Sequence, residues 1–99
     1  MTTDRSGSRI RSFLDLSTNN LPQEVFTGLN SFDGVVAYPT THGALLWVPD
    51  DPQSFHDFAD EPAPDEVLAV QLHARGLGCD YVLFDGDAEV DPQLRSWQW

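Results

Sequence analysis

Residues 81–84 (YVLF) limit the possible folds more than any other part of the sequence. This segment is apolar at every position and is followed by an Asp-Gly turn, and a strand that is apolar on both faces belongs in the interior of a sheet. Residues 35–38 and 44–48 predict two further strands, and the short polar link between them, which contains Gly43, predicts a hairpin. Residues 13–16 predict a first strand. The chain therefore predicts one small sheet.

Two helices are predicted between these strands. Residues 21–29 follow a run of N-cap side chains, and Gly28 or Asn30 would end this helix. The second helix starts at the Pro-Asp-Glu sequence of residues 64–66 and ends at Gly76 or Gly78. The apolar stripe of the first helix is Leu21, Val25, Phe26 and Leu29. The predicted inward face of the second helix is Val67, Leu68, Leu72 and Ala74.

The element order β-α-β-β-α-β predicts a single α+β domain, with an antiparallel or mixed sheet and both helices on one face. A ferredoxin-like topology is compatible with this order, and another α+β meander with a different strand order fits nearly as well. Residues 1–11 are polar, with three arginines and one aspartate, and predict a flexible N-terminal tail. The acidic domain itself is predicted over residues 12–99.

The charge of the chain excludes several classes of function. The 99 residues contain 16 acidic side chains, five arginines and no lysine, for a formal net charge of −11. Such a chain is repelled by nucleic acid and by anionic membranes, so direct binding to either is not expected. The apolar runs are too short to span a bilayer, no apolar segment follows the N-terminal arginines, and a single cysteine excludes an internal disulfide. These features predict a cytoplasmic protein.

No residue pattern indicates catalysis or a cofactor. Cys79 lies between a helix end and a buried strand, where a free cysteine is usually a small hydrophobic residue rather than a nucleophile. His56 with Asp57 and Asp60 could contact one cation, but a solvated acidic loop explains this segment better. Residues 85–96 imitate the start of a calcium loop and lack its glycine and its final glutamate. We therefore expect no enzyme activity, no cofactor and no metal.

Two dense blocks of carboxylates are the main signal for function. The first places seven acids within residues 50–66, without any arginine or lysine, and the second places five acids within residues 80–91. Carboxylates about 5–6 Å apart can imitate DNA, which carries a phosphate about every 3.4 Å on each strand. Solubility, or a high-salt or arginine-biased genome, would also explain such acids. The predicted partner-binding residues are Asp50, Asp51, Asp57, Asp60, Glu61, Asp65, Glu66, Asp87, Glu89 and Asp91.

The end of the chain predicts a second kind of contact. Trp97 and Trp99 alternate along an extended segment, so their side chains lie on one face. We expect at least one of them to pack on the domain or across a dimer interface. Exposed aromatic residues of this kind would serve an adaptor or a homodimer.

Four strings of the sequence carry a resemblance to a known family. They are LST..LP at residues 16–22, VVAYPT at 35–40, WVPDDP at 47–52 and GCDYVLFD at 78–85. Over about residues 12–99 the chain resembles an uncharacterised family, a domain of unknown function, of small acidic bacterial proteins from plasmids and prophages. It departs from the family pattern at Asn19-Asn20, where Ala-His is expected, and in its N-terminal extension. The resemblance implies no catalytic residue.

The plasmid or prophage origin that the resemblance implies favours one hypothesis about function. Small acidic proteins of mobile elements often counter host defence by occupying nucleic-acid sites on CRISPR effectors or restriction enzymes. We therefore expect an inhibitor of the anti-CRISPR or anti-restriction type, a DNA mimic that binds a basic, nucleic-acid-handling host protein. The alternative is a non-catalytic adaptor or dimerising module that uses exposed aromatic residues, and a small enzyme or metal-binding protein is the third reading.

Overall fold

The computed structural model describes residues 10–99, so nearly all of the predicted tail, residues 1–11, lies outside the described residues. The strands are β1 (Phe13–Ser17), β2 (Ala37–Thr40), β3 (Gly43–Trp47) and β4 (Tyr81–Asp85). The α-helices are α1 (Gln23–Thr27), α2 (Pro52–Phe58) and α3 (Asp65–Gly76), and short 3-10 helices cover Thr18–Asn20 and Leu29–Ser31. No helix in this part of the chain is long and apolar enough to cross a membrane.

The four strands form one mixed sheet in the order β1-β4-β3-β2. β1 and β4 are parallel, and the other neighbours are antiparallel. The predicted α+β domain is confirmed, and β4 is an interior strand, as its apolar sequence indicates. A ferredoxin-like sheet would place the first strand beside the third, whereas β4 separates them here. The topology is therefore the other one allowed by the element order.

The inner face of the sheet carries the core. The strand registers place Leu14, Val82, Leu46 and Ala37 in one row, and Leu16, Phe84, Ala44 and Pro39 in the next. α1 and α3 cover this face: the Phe26 ring meets the Phe84 ring edge-on at 5.8 Å, and Val67 and Val70 of α3 are buried in the same cluster. Full burial of such a side chain contributes about 1.5–3 kcal/mol. The helices therefore stabilise one side of the sheet.

The opposite side of the sheet, called the outer face below, keeps its apolar side chains exposed or half-buried. Its first row across the strands is Phe13, Tyr81, Trp47 and Val36, the second is Asp15, Leu83, Leu45 and Tyr38, and the third is Ser17, Asp85, Gly43 and Thr40. Two rows are mainly apolar and the third is polar. Both faces of the sheet therefore carry mainly apolar side chains, but α1 and α3 cover only the inner face.

Two elements near the start of the domain are shifted from their predicted bounds. α1 is shorter than the predicted 21–29 because 3-10 helices take up the flanking residues, although Leu21 and Leu29 are buried as expected. β2 begins two residues later than predicted and includes Pro39. Its missing N–H is tolerated because β2 is an edge strand.

The inward face of α3 corrects one prediction. Leu72 is exposed, whereas Val67, Val70, Gln71 and Ala74 are buried. These four positions follow the i, i+3, i+4, i+7 spacing of one helical stripe, and Leu72 lies one residue outside it. A buried glutamine was not expected from apolar periodicity.

The C-terminal segment, residues 91–99, is fastened to the domain by Asn19 and Asn20. The Asn20 side chain, 1 % exposed, donates to the carbonyl oxygens of Asp91 (3.3 Å) and Arg95 (2.9 Å) and accepts from the N–H of Asp91 (3.0 Å). Asn19 donates its side-chain N–H to the Trp97 carbonyl (2.9 Å) and its own carbonyl accepts from the Trp97 N–H (2.8 Å). The two residues that depart from the expected family pattern therefore hold the end of the chain.

Candidate protein-interaction surface

α2 presents two aromatic side chains to solvent. The helix starts in a well-defined way, because the Asp51 carboxylate accepts hydrogen bonds from the N–H (3.2 Å) and the hydroxyl (2.9 Å) of Ser54, and Pro52 occupies the first turn. These two hydrogen bonds lower the pKa of Asp51. Phe55 and Phe58, three residues apart, are 47 % and 87 % exposed. Phe55 and Phe58 line the same groove, and a contiguous exposed apolar patch, unlike a single exposed apolar residue, is a candidate interaction surface.

Phe55 connects α2 to the sheet and to a neighbouring turn. Its ring meets the Trp47 ring edge-on at 5.5 Å, and it lies against Gly34, where an added Cβ would come within 3.3 Å of the phenyl group. A shallow groove of about 430 Å³ runs between this turn and α2, with Phe58 and Asp60 on its helix side. The groove thus combines aromatic walls with carboxylates at its rim.

Most acids of the first block are exposed, and one of them, Asp60, lines this groove. Asp33 organises the loop after α2, since its carboxylate accepts the N–H groups of Asp60 and Glu61, both at 3.1 Å. The exposed acids of the block are Asp50, Asp51, Asp57, Asp60, Glu61 and Asp65, while Glu66 is half-buried. Residues 50–66 contain no arginine or lysine, and Arg75, which pairs with Asp80 at 3.1 Å, lies 3.9 Å from Asp50. The surface is therefore strongly negative.

The second acidic block divides into exposed and structural residues. Asp87 and Glu89 are exposed. Asp91 is half-buried, and its carboxylate lies 3.1 Å from His73 Nε2 and accepts the N–H of Gln93 at 2.9 Å. These contacts lower the pKa of Asp91, the Gln93 hydrogen bond most. The structure therefore gives Asp91 a role in holding the C-terminal segment, unlike its two exposed neighbours.

The terminal tryptophans pack on the domain, as we expected for at least one of them. The Trp99 ring lies 5.4 Å from the Phe26 ring, and its indole N–H donates to the Leu21 carbonyl at 2.9 Å. Arg95 lies over the Trp97 ring at 4.9 Å. The more exposed aromatic pair is on α2, which the sequence reasoning missed. The signal available in the sequence was a pair of phenylalanines at helical spacing within an acidic segment that has no apolar stripe.

His56 has a structural contact rather than a ligand set. Its Nε2 lies 2.9 Å from the carbonyl oxygen of Ala63, and Nδ1 is buried without a hydrogen-bond partner. Within residues 10–99 no three His, Cys, Asp or Glu side chains are grouped closely enough to hold a metal ion. The ring therefore ties α2 to the segment that leads into α3.

Cys79 is buried in the core beside the end of α3, where its N–H donates to the Ala74 carbonyl at 2.9 Å. A buried thiol meets reagent only when the chain opens, so we expect Cys79 to react with a thiol reagent at the rate of unfolding. Labelling in native buffer and in urea measures this. Rapid labelling of the native protein would contradict the structural role.

The fold and the surface together define a small acidic α+β domain with two exposed phenylalanines on α2. The chain belongs to the family of unknown function DUF5983, whose C-terminal domain matches residues 13–99. Comparisons with curated proteins and with solved structures returned no match.

Proposed function

We propose that this protein is a cytoplasmic, non-catalytic inhibitor that binds a basic, nucleic-acid-handling host protein through the acidic surface around α2. The partner would be a CRISPR effector or a restriction enzyme, and the acids would take the place of DNA phosphates. The observation that carries this proposal is the set of six exposed carboxylates within residues 50–65, the same segment that contains the exposed Phe58. An origin on a plasmid or prophage is part of the same proposal.

The carboxylates supply attraction at a distance. A protein that grips DNA presents a positively charged groove, and a chain with a net charge of −11 is steered into such a groove before any contact forms. Exposed charges mainly raise the association rate, and salt screens them beyond about 10 Å at 0.1 M ionic strength. Fast association with a strong dependence on salt is therefore expected.

The aromatic pair supplies the contact itself. Interface energy concentrates in a few large side chains that become fully buried, whereas charges at the rim contribute less each. Phe58 is the most exposed large hydrophobic residue in the described part of the chain. Its burial in a partner, together with contacts from the exposed neighbouring acids Asp57 and Asp60, would combine affinity with selection for a cationic surface.

The first test asks whether the protein protects a phage. Cells that carry a CRISPR or restriction system are plated with phage, with and without the protein. Expression of the protein should raise plating efficiency by at least about tenfold for the system that contains its partner. The purified effector then gives an affinity at low and high salt, and DNA or RNA should compete for the same site.

Variants separate the roles of charge and aromatic contact. The set Asp50→Asn, Asp57→Asn, Asp60→Asn, Glu61→Gln and Asp65→Asn spares the Asp51 cap and should weaken binding severely and flatten its salt dependence. Phe58→Ser should leave the folding rate and the association rate with the partner unchanged. It should raise the dissociation rate of the complex. Leu77→Ser removes another exposed apolar side chain and serves as its control. Equal affinity of the acid set and wild type at both salt concentrations would refute DNA mimicry.

The adaptor hypothesis is favoured by a different observation. The outer face of the sheet offers two mainly apolar rows, and Phe55 extends the first of them through Trp47. An adaptor that used this surface would bind its partner with little dependence on salt and would not compete with nucleic acid. The same affinity measurements therefore decide between the two functions.

A further inference from the structure

The two edges of the sheet differ in their protection against further pairing. At the β2 edge, the Asn30 side chain donates to the Ala37 carbonyl (2.8 Å) and accepts the Ala37 N–H (2.9 Å). Pro39, the next residue of β2 on the same side of the strand, has no N–H to offer. Exposed edges that lack such devices are prone to pair with another strand. This edge is therefore closed.

The β1 edge has no such device among residues 10–99. The Ser12 carbonyl accepts the Tyr81 N–H and so points toward β4. Because backbone groups alternate along a strand, those of Leu14 and Leu16 also face β4, and those of Phe13 and Asp15 point away from the sheet. Within residues 10–99, no hydrogen bond is made to these outward N–H and C=O groups.

We infer that β1 is the interface of a homodimer, in which two copies of β1 pair antiparallel about Phe13. In that register the outward backbone groups of Phe13 bond to those of Phe13 in the second copy, and Arg11 stands opposite Asp15 of the second copy, twice by symmetry. Opposite charges directly across an antiparallel pair are favourable. A register centred on Asp15 would instead set two aspartates against each other. The charge pattern of residues 11–15 is therefore complementary to itself.

The pairing also continues the outer face. Its two-fold axis is perpendicular to the sheet, so the row Val36, Trp47, Tyr81, Phe13 runs on through Phe13 of the second copy into an eight-stranded sheet. Phe13 is 54 % exposed, and Ile10 just before the strand is also largely exposed. Contact between the copies would bury both. The second copy thus covers apolar surface that the described chain leaves in water.

Net charge opposes this dimer and makes it sensitive to salt. Each copy carries −11, and the repulsion between copies is long-ranged and well screened at about 0.5 M salt. The paired strands form a small interface, which predicts a weak dimer. Dimerisation should therefore strengthen as the salt concentration rises, whereas the proposed partner binding should weaken. The two proposals can therefore be tested, and refuted, independently of each other.

Charge reversal tests the register directly. Sedimentation velocity of the full chain at low and high salt should show a concentration-dependent dimer. Arg11→Asp alone sets aspartates opposite each other, and Asp15→Arg alone sets arginines opposite each other, so each should dimerise at least about tenfold more weakly. A mixture of the two single variants should form a heterodimer, and the double variant Arg11→Asp/Asp15→Arg should dimerise like wild type.

Each other outcome counts against the inference. Both positions are exposed, so circular dichroism and melting temperature should be unchanged in the variants. A wild type that stays monomeric in both salts would overturn the proposal. Single variants that dimerise as tightly as wild type, or a mixture that does not pair, would overturn the Phe13-centred register.

Discussion

Gly43→Ala is expected to destabilise the domain strongly. Gly43 opens β3, and an added Cβ would overlap the carbonyl oxygen of Phe84 and lie 2.7 Å from its carbonyl carbon. Both atoms belong to the backbone of the central strand β4, so no side-chain rotation can make room. β3 and β4 would have to separate where Phe84 fills the core. We expect a loss of at least about 3 kcal/mol, out of the 5–15 kcal/mol typical of a domain.

Gly76→Ala is the matched control for this prediction. Gly76 is the last residue of α3, and a Cβ there meets no atom within 4 Å. Alanine favours the helix over glycine by up to about 1 kcal/mol. Urea unfolding followed by circular dichroism should therefore show a Gly76→Ala protein at least as stable as wild type and a Gly43→Ala protein that unfolds at a much lower urea concentration. A free energy of unfolding for Gly43→Ala within about 1 kcal/mol of wild type would contradict the close approach of these strands.

The sequence predicted the elements of the fold better than their arrangement. The apolar run of residues 81–84 identified the interior strand, and the Pro-Asp-Glu start located α3, because both signals are local. Strand order depends on which edge of β4 each neighbouring strand pairs with. β1 pairs with β4 in parallel, although residues 18–80 separate the two strands in the sequence. No local pattern encodes that crossover. The face of α3 was misjudged for a related reason: Leu72 is apolar, but only its position relative to Val67 and Val70 decides its burial.

The candidate site divides in the same way. Carboxylate density is a property of composition, so the acidic block of residues 50–66 could be identified without a structure. Which acids are free to meet a partner could not, because Asp91 is occupied by His73, a contact between residues 18 positions apart. The exposure of Phe58 was also hidden, since the sequence does not reveal that α2 turns this residue away from the core.

The buried amide of Asn20 illustrates what composition cannot reveal. Between Ser17 and Leu21, a polar residue reads as a helix cap, yet the side chain points into the domain and bonds to Asp91 and Arg95. The Asn20 amide supplies hydrogen-bond partners for backbone groups of this irregular segment, as a neighbouring strand does in a sheet. The attachment of residues 91–99 thus relies in part on a side chain 71 positions away from Asp91.

Asn20→Ala should release the C-terminal segment. The substitution removes the partners of the Asp91 N–H and of two carbonyl oxygens, those of Asp91 and Arg95, next to a site that is 1 % exposed. Unpaired buried groups cost about 1–3 kcal/mol each, reduced here because the segment can detach and meet water, so we expect a loss of about 3 kcal/mol. Tryptophan fluorescence should shift to the red, since Trp99 leaves Phe26, and the Asp91 amide should lose its exchange protection. Gln93→Ala, an exposed change in the same segment, should alter neither signal. A variant Asn20→Ala with unchanged stability and unchanged Asp91 protection would mean that Trp99 and Asn19 hold the segment by themselves.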